Sequence, residues 1–345
     1  MNDYLKDVVS QPDYLKVALN YYFNEENLTK ISAITKMTFD HIIFTGMGSS
    51  NYCSYSASVY LNAMGINSRV ISCGNLLHYE TCLAKKDTLV IVISQSGESA
   101  EIKKLIEKLE GAKIIGITND ILSSLGKRAD IAFNLNLPPE KAVSTRTYIS
   151  SVVLCLLISC GIARKLKLKI KKDFIGTIDE IRNALRVCEK NKDKLKAFLE
   201  GACYITLLAR GYNIGTAYAG ALFIQEVSKF PSYGMDSAEF RHGPMEIVDD
   251  KFRGIVIAPS GLTHDLNIKL AKEMAKYGGK VILITDEPEG ITEEEIITIK
   301  MGSCDEPLTP IFYILPIQYL NNLLAEQRDL KVGTFRWSSK ITMEE

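Results

Sequence analysis

Short apolar runs alternate with segments whose apolar residues recur at helical spacing. His41-Ile42-Ile43-Phe44-Thr45-Gly46 is an apolar run ending in glycine, and Met47-Gly48-Ser49-Ser50-Asn51 after it is turn-like. Residues 52–64 then predict a helix and 68–73 (SRVISC) a strand, which together make one βαβ unit. The run 88–93 (TLVIVI) predicts the next strand. It leads into Ser94-Gln95-Ser96-Gly97-Glu98-Ser99 and then a helix with Ile102, Leu105, Ile106 and Leu109 on one face. Residues 113–118 (KIIGIT) predict another strand. Strands this uniformly apolar belong to a parallel sheet with helices on both faces.

The second half reads as a worn copy of the first. Residues 204–211 (YITLLARG) parallel the 42–48 segment. The strand 254–258 (GIVIA), a helix over 264–277 and the strand 280–285 (KVILIT) parallel the 88–118 unit. Residues 165–200 are rich in Lys, Glu and Asp with spaced apolar positions, which predicts an amphipathic connecting helix. The pattern as a whole predicts an α/β chain of two tandem doubly wound, flavodoxin-like parallel-sheet domains. The first covers 1–165, the connecting helix 166–195 and the second domain 196–330. A tail over 331–345 lies on the body.

Composition narrows the chemistry. Lys+Arg and Asp+Glu both count 41, so no charge excess points to nucleic acid or a membrane surface. The longest apolar stretch, 149–162, is interrupted by serines and a glycine and is shorter than the roughly 18–20 residues a spanning helix needs. It reads as a buried helix. The start of the chain carries no apolar core of signal-peptide type. The eight cysteines form no CxxC pair and no Cys/His cluster of zinc spacing. They read as reduced, mostly buried thiols of a cytoplasmic protein, and no metal and no cofactor is expected.

The loop 94–99 carries the clearest chemical signal. Gly97 lets the backbone turn sharply. The helix that follows offers free N–H groups and the positive end of its dipole. Ser94, Ser96 and Ser99 add hydroxyl donors at the same point, which suits a phosphate. A single serine would be explained as a helix cap. Three serines and a glutamine in six residues exceed what a cap needs. The earlier turn, 46–51, lacks the third glycine of a dinucleotide fingerprint, and the strand after it ends without an acid for a ribose hydroxyl. NAD and P-loop nucleotide sites are therefore not expected. Ser49 and Ser50 fall at the edge of the sheet where open α/β proteins bind ligands. In the second half, Ser260-Gly261-Leu262-Thr263 is a poorer cradle, so the phosphate is expected in the first half alone.

Two residues suggest acid–base work. Glu226 lies among apolar residues (ALFIQEV), which would raise its pKa and suit a general base. A carboxylate paired with a nearby Lys or Arg explains the same pattern. His242, one of four histidines, precedes Gly243-Pro244 and so sits in a turn. A lone histidine is as readily structural as catalytic.

Gly48-Ser49-Ser50, the ISQSGES run at 93–99, Glu226 with His242 sixteen residues later in EFRHGP, and the segment from TPIFYILPIQYL onward together carry a family resemblance. From about residue 25 to its end the chain resembles the sugar isomerase (SIS) family. It is similar to the isomerase half of the glucosamine-6-phosphate synthases, also called glutamine–fructose-6-phosphate aminotransferases. The resemblance implies that Ser50, Ser94, Gln95, Ser96 and Ser99 hold a sugar phosphate, with Val143 and Ser144 lining the pocket. It implies that Glu226 moves a proton between C1 and C2. It further implies that His242 opens the sugar ring from the partner subunit of a homodimer, and that Lys340, on the tail over the active site, contacts the open-chain sugar.

The chain departs from that pattern in three ways. It begins directly with the sugar module, so glutamine is not expected as an ammonia donor. Phe223 stands where the synthases carry a lysine three residues before the base. Phe335-Arg336-Trp337-Ser338 replaces their Pro-Arg-Asn-Leu. These departures favour a stand-alone phosphosugar isomerase or amino-sugar-phosphate deaminase, with a fructosamine-6-phosphate deglycase as the alternative. SIS modules also serve as non-catalytic sugar-phosphate sensors, but there they accompany a DNA-binding module that is not seen here.

Overall fold

The computed structural model describes residues 1–140, 143–332 and 334–337. Two five-stranded parallel sheets organise it. The first contains β1 (His41–Gly46), β2 (Ser68–Ser72), β3 (Thr88–Ile93), β4 (Lys113–Thr118) and β5 (Ile131–Asn134), in the order β2-β1-β3-β4-β5. The second contains β6 (Ile205–Ala209), β7 (Ser232–Asp236), β8 (Arg253–Ile257), β9 (Lys280–Thr285) and β10 (Ile296–Lys300), in the order β10-β9-β8-β6-β7. Read from the other edge, that is the 2-1-3-4-5 order of the first sheet. The doubly wound α/β architecture, present twice in tandem, is as the apolar runs predict.

The chain divides into two compact units. One comprises residues 1–12, 140–145 and 176–334, and the other 13–139, 146–175 and 335–345. Two of the divisions, at 12/13 and 175/176, fall inside the helices Asp3–Tyr22 and Leu168–Lys190.

In the unit built on β1–β5, all of β3 and nearly all of β1 and β4 are buried. The helix Ala100–Lys108 sets Ile102, Leu105 and Ile106 against this sheet's core, each at most 3% exposed. Burying each side chain is worth roughly 1.5–3 kcal/mol. The apolar run 149–162 lies in the buried helix Arg146–Ile162. In the other unit, β8 and β9 pack with Leu270, Ala271 and Met274 of the helix His264–Lys276.

Local hydrogen bonding alters two predicted helices. The expected helix over 52–64 is two, Ser49–Tyr52 and Tyr55–Ala63. The Ser54 hydroxyl donates to Asn51 O at 2.7 Å at the junction, a side-chain bond that competes with the helical ladder. The expected connecting helix is likewise two, Leu168–Lys190 and Lys192–Leu199, parted at Asn191, whose side chain donates to Val187 O at 2.9 Å. Of the eight cysteines five are buried; Cys82 and Cys203 are exposed and Cys304 is half-buried.

Candidate functional site

The loop 94–99 leaves the end of β3 beside β1 and β4. Ser94 N donates to Ile117 O at 3.0 Å, and Asn119 N donates to Gln95 O at 2.9 Å, so the start of the loop is tied to β4 and the residue after it. Gly97 has φ +67°, which a side chain would oppose. A Cβ there would lie 2.0 Å from Ser123 Oγ. Gly97 N donates to Ser94 Oγ at 3.1 Å and Glu98 N to Ser96 Oγ at 3.2 Å. Each serine hydroxyl thus accepts from the backbone and keeps its own proton to donate.

Ser99 stands at the N-cap of the helix Ala100–Lys108 but makes no capping hydrogen bond. The N–H groups of the first turn, which have no intrahelical acceptor in any helix, therefore also lack a side-chain cap here. Capping alone does not account for this serine.

Glu98, the loop's one acid, is held out of the way. Its carboxylate meets Lys103 Nζ at 2.7 Å and accepts from Ser124 N at 2.6 Å. The Lys103 ammonium first, and the Ser124 amide after it, draw its pKa down to about 2. The negative charge is neutralised within the unit, so it does not oppose an anion at the serines. Neither Lys103 nor Ser124 was singled out from the sequence. The signal available was a lysine five residues after an acid in a serine-rich loop.

Ser49 and Ser50 open the short helix after β1, following Gly48 at φ +53°. At Gly46 a Cβ would stand 2.8 Å from Ile93 O and 2.8 Å from Ser50 O. Only glycine lets the Ser49–Ser50 turn come this close to the end of β3. The structure thus brings Ser49, Ser50, Ser94, Gln95, Ser96 and Ser99 to one edge of one sheet.

Glu226 belongs to the other unit, in the last turn of the helix Ile214–Ser228. It is half-buried, and its carboxylate accepts no hydrogen bond from a described residue. Burial pushes its pKa up to about 7, opposed by the Lys229 charge. Lys229 ends this helix at φ +52° and curls back so that its Nζ donates to Glu226 O. This lysine was missed in the sequence, though three residues from Glu226 is helical-neighbour spacing. Tyr4 lies within electrostatic reach, and its phenol donates to Gln318 O at 3.2 Å. Phe223 is fully buried.

His242 lies in the same unit, in the turn after the helix Ser237–Phe240, and its side chain is exposed. His242 N donates to Glu239 O at 2.9 Å, and Gly243 at φ +123° leads into Pro244. The preceding residue, Arg241, grips Glu273 of the helix His264–Lys276, with Nη2 to Oε1 at 2.9 Å. His242 and Glu226 share no hydrogen bond or ion pair. Val143 is buried and Ser144 half-buried, in a segment that groups with the Glu226 unit. Its turn is held by Glu140 Oε1, which accepts from Thr145 N and Oγ1 at 2.9 Å each. Lys340 lies outside the described residues. Among those residues no group of three or more His, Cys, Asp or Glu is arranged to hold a metal, and no helix is long and apolar enough to cross a membrane.

Residues 38–159 and 199–325 each match the SIS domain family. The glutamine–fructose-6-phosphate aminotransferase (isomerizing) of Pyrococcus horikoshii is 28% identical over 328 residues, 93% of this chain and 54% of that protein. The chain thus spans about half the length of the curated relatives it matches. Among solved structures, the C-terminal domain of glucosamine-fructose-6-phosphate aminotransferase from Francisella tularensis superposes with a TM-score of 0.85. The two are 21% identical, over 96% of this chain and 98% of that one. Glucosamine-6-phosphate deaminase from Thermotoga maritima gives 0.79 at 20% identity over 99% of both chains.

Proposed function

Because the chain belongs to the SIS domain family, we propose that it is a phosphosugar isomerase or deaminase acting on a hexose or amino-sugar 6-phosphate by proton transfer between C1 and C2. The observation that carries this reading is the 94–99 loop: two serine hydroxyls with protons left to donate, an uncapped helix end, and an acid already neutralised by Lys103. Such a corner favours a doubly charged ester. Aldose–ketose chemistry then needs one base and one ring-opening acid. Glu226 is assigned as the base and His242 as the ring-opening group, given by the partner subunit of a homodimer. Val143 and Ser144 line the sugar, and Lys340 contacts its open chain. The domain limits 1–165 and 196–330, joined by 166–195, with the tail 331–345 over the site, and a cytoplasmic location belong to the same reading.

The test is to incubate the protein with glucosamine 6-phosphate, with fructose 6-phosphate plus ammonia, and with a fructosamine 6-phosphate. Ammonia, new hexose phosphate and released amine are followed separately. Amine release from the third substrate alone would move the assignment to the deglycase alternative. Tight binding with no turnover of any of the three would make the protein a sensor.

The pH profile gives a second test. A base must be ionised to work, so kcat is expected to rise with pH through a midpoint of about 7, the value burial gives Glu226. Lys229→Met removes the charge that opposes this rise and should move the midpoint upward. A midpoint unchanged in that variant would show that Lys229 does not act on the base. Stability follows the opposite course. The folded state keeps a proton that the unfolded chain releases near 4.5, so Glu226's contribution is full below that pH and is lost as pH rises through about 7.

A further inference from the structure

The loop after β8 shares the register of the loop after β3, and it already holds a carboxyl group supplied by the chain itself. Ala258 N donates to Ile284 O at 2.9 Å, as Ser94 N does to Ile117 O at 3.0 Å. Met301 N to Thr285 O matches Leu135 N to Thr118 O, both 2.8 Å. This register sets Ser260-Gly261 in the place of Ser96-Gly97. Gly261 and Gly97 both have positive φ, +147° and +67°. The turns after β6 and β1 are likewise matched, with Gly211 at φ +57° and Gly48 at φ +53°.

What differs is the content of the cradle. Leu262 N donates to the Glu306 carboxylate. A Cβ on Gly261 would lie 2.3 Å from Glu306 Oε2, and one on Gly211 4.0 Å from Oε1. The carboxylate therefore sits between the turns that follow β6 and β8. The equivalent place in the first sheet is bordered by the Ser49–Ser50 turn and the 94–99 loop. Asp286 accepts from Ser260 N at 2.7 Å, Ser260 Oγ at 2.6 Å and the Tyr313 hydroxyl at 3.1 Å. Two carboxylates thus face inward where the first sheet offers hydroxyls.

We propose that Glu306 is a built-in occupant of a second anion cradle, which keeps phosphate groups out of this unit. That the chain is left with one phosphate site rests on the reading of the 94–99 loop given above; the occupancy by Glu306 does not. The inference also gives a physical reason for the poorer cradle of the second half: Glu306 and Asp286 take the Leu262 and Ser260 amides without a ligand.

The test uses the full chain, inorganic phosphate as the probe, and the amide resonances of Gly97 and Gly261 as separate reporters. In the unaltered protein phosphate is expected to shift Gly97 and to leave Gly261 in place. In Glu306→Ala, and more strongly with Asp286→Asn added, Gly261 should shift as well. A silent Gly261 in these variants while Gly97 responds would overturn the inference and leave the first site standing. A silent Gly97 with a responsive Gly261 would do the reverse. If the alanine variants unfold, Glu306→Gln with Asp286→Asn keeps the volume and removes both charges. Gly261 must then respond at higher phosphate, and silence there also overturns the inference.

Discussion

Glu226→Gln is expected to lower kcat about 10³-fold, in line with the 10²–10⁴ that a positioned base contributes. Glutamine has the shape of glutamate but cannot take a proton at this pH. The loss should appear in kcat with the substrate dissociation constant nearly unchanged, because the phosphate grip is assigned to the 94–99 loop. The same substitution removes a carboxyl that burial already disfavours when charged. The melting temperature at neutral pH should therefore hold or rise, which separates a lost base from a lost fold. Two measurements check this: steady-state kinetics on whichever of the three sugar phosphates the wild-type protein turns over, and uptake of solvent deuterium at C1 or C2. Wild-type turnover in the variant would remove Glu226 from the role.

Ser94→Asp is expected to weaken sugar-phosphate binding about 10³-fold. Like charges about 4 Å apart repel by about 4 kcal/mol at the effective dielectric of a protein surface, and the ester is doubly charged. The loop itself should survive, because an aspartate oxygen can accept from Gly97 N as Ser94 Oγ does at 3.1 Å. Ser94→Ala removes only one hydroxyl donor to a charged group, about 1.5–3 kcal/mol, and should fall between wild type and Ser94→Asp. Titration calorimetry with glucosamine 6-phosphate reads all three. Equal affinity for wild type and Ser94→Asp would place the phosphate elsewhere.

The central strands were legible in the sequence because burial on both faces leaves them uniformly apolar; TLVIVI, KIIGIT and KVILIT need no partner to be recognised. The edge strands β5, β7 and β10 were not. They are four or five residues long and only partly covered, so SYGMD and IITIK carry no continuous apolar run. The site divides in the same way. A loop whose donors are consecutive in the chain announces itself. The neutralisation of Glu98 by Lys103 and Ser124 depends on a second segment packed against the loop.

By itself the sequence determined the α/β class, the twofold repetition and the hydroxyl-rich corner, because these follow from residues close together along the chain and from the two-faced burial of parallel strands. The tertiary structure alone decided which charges are spent and which are held in reserve. It set Lys229 against the helix end that bears Glu226, clamped Arg241 beside His242 with Glu273, and filled the second cradle with Glu306. Glu306 lies forty-five residues from Gly261, and no local pattern encodes that meeting. The reason is physical: a charge's effect depends on distance and burial, which only the folded chain fixes.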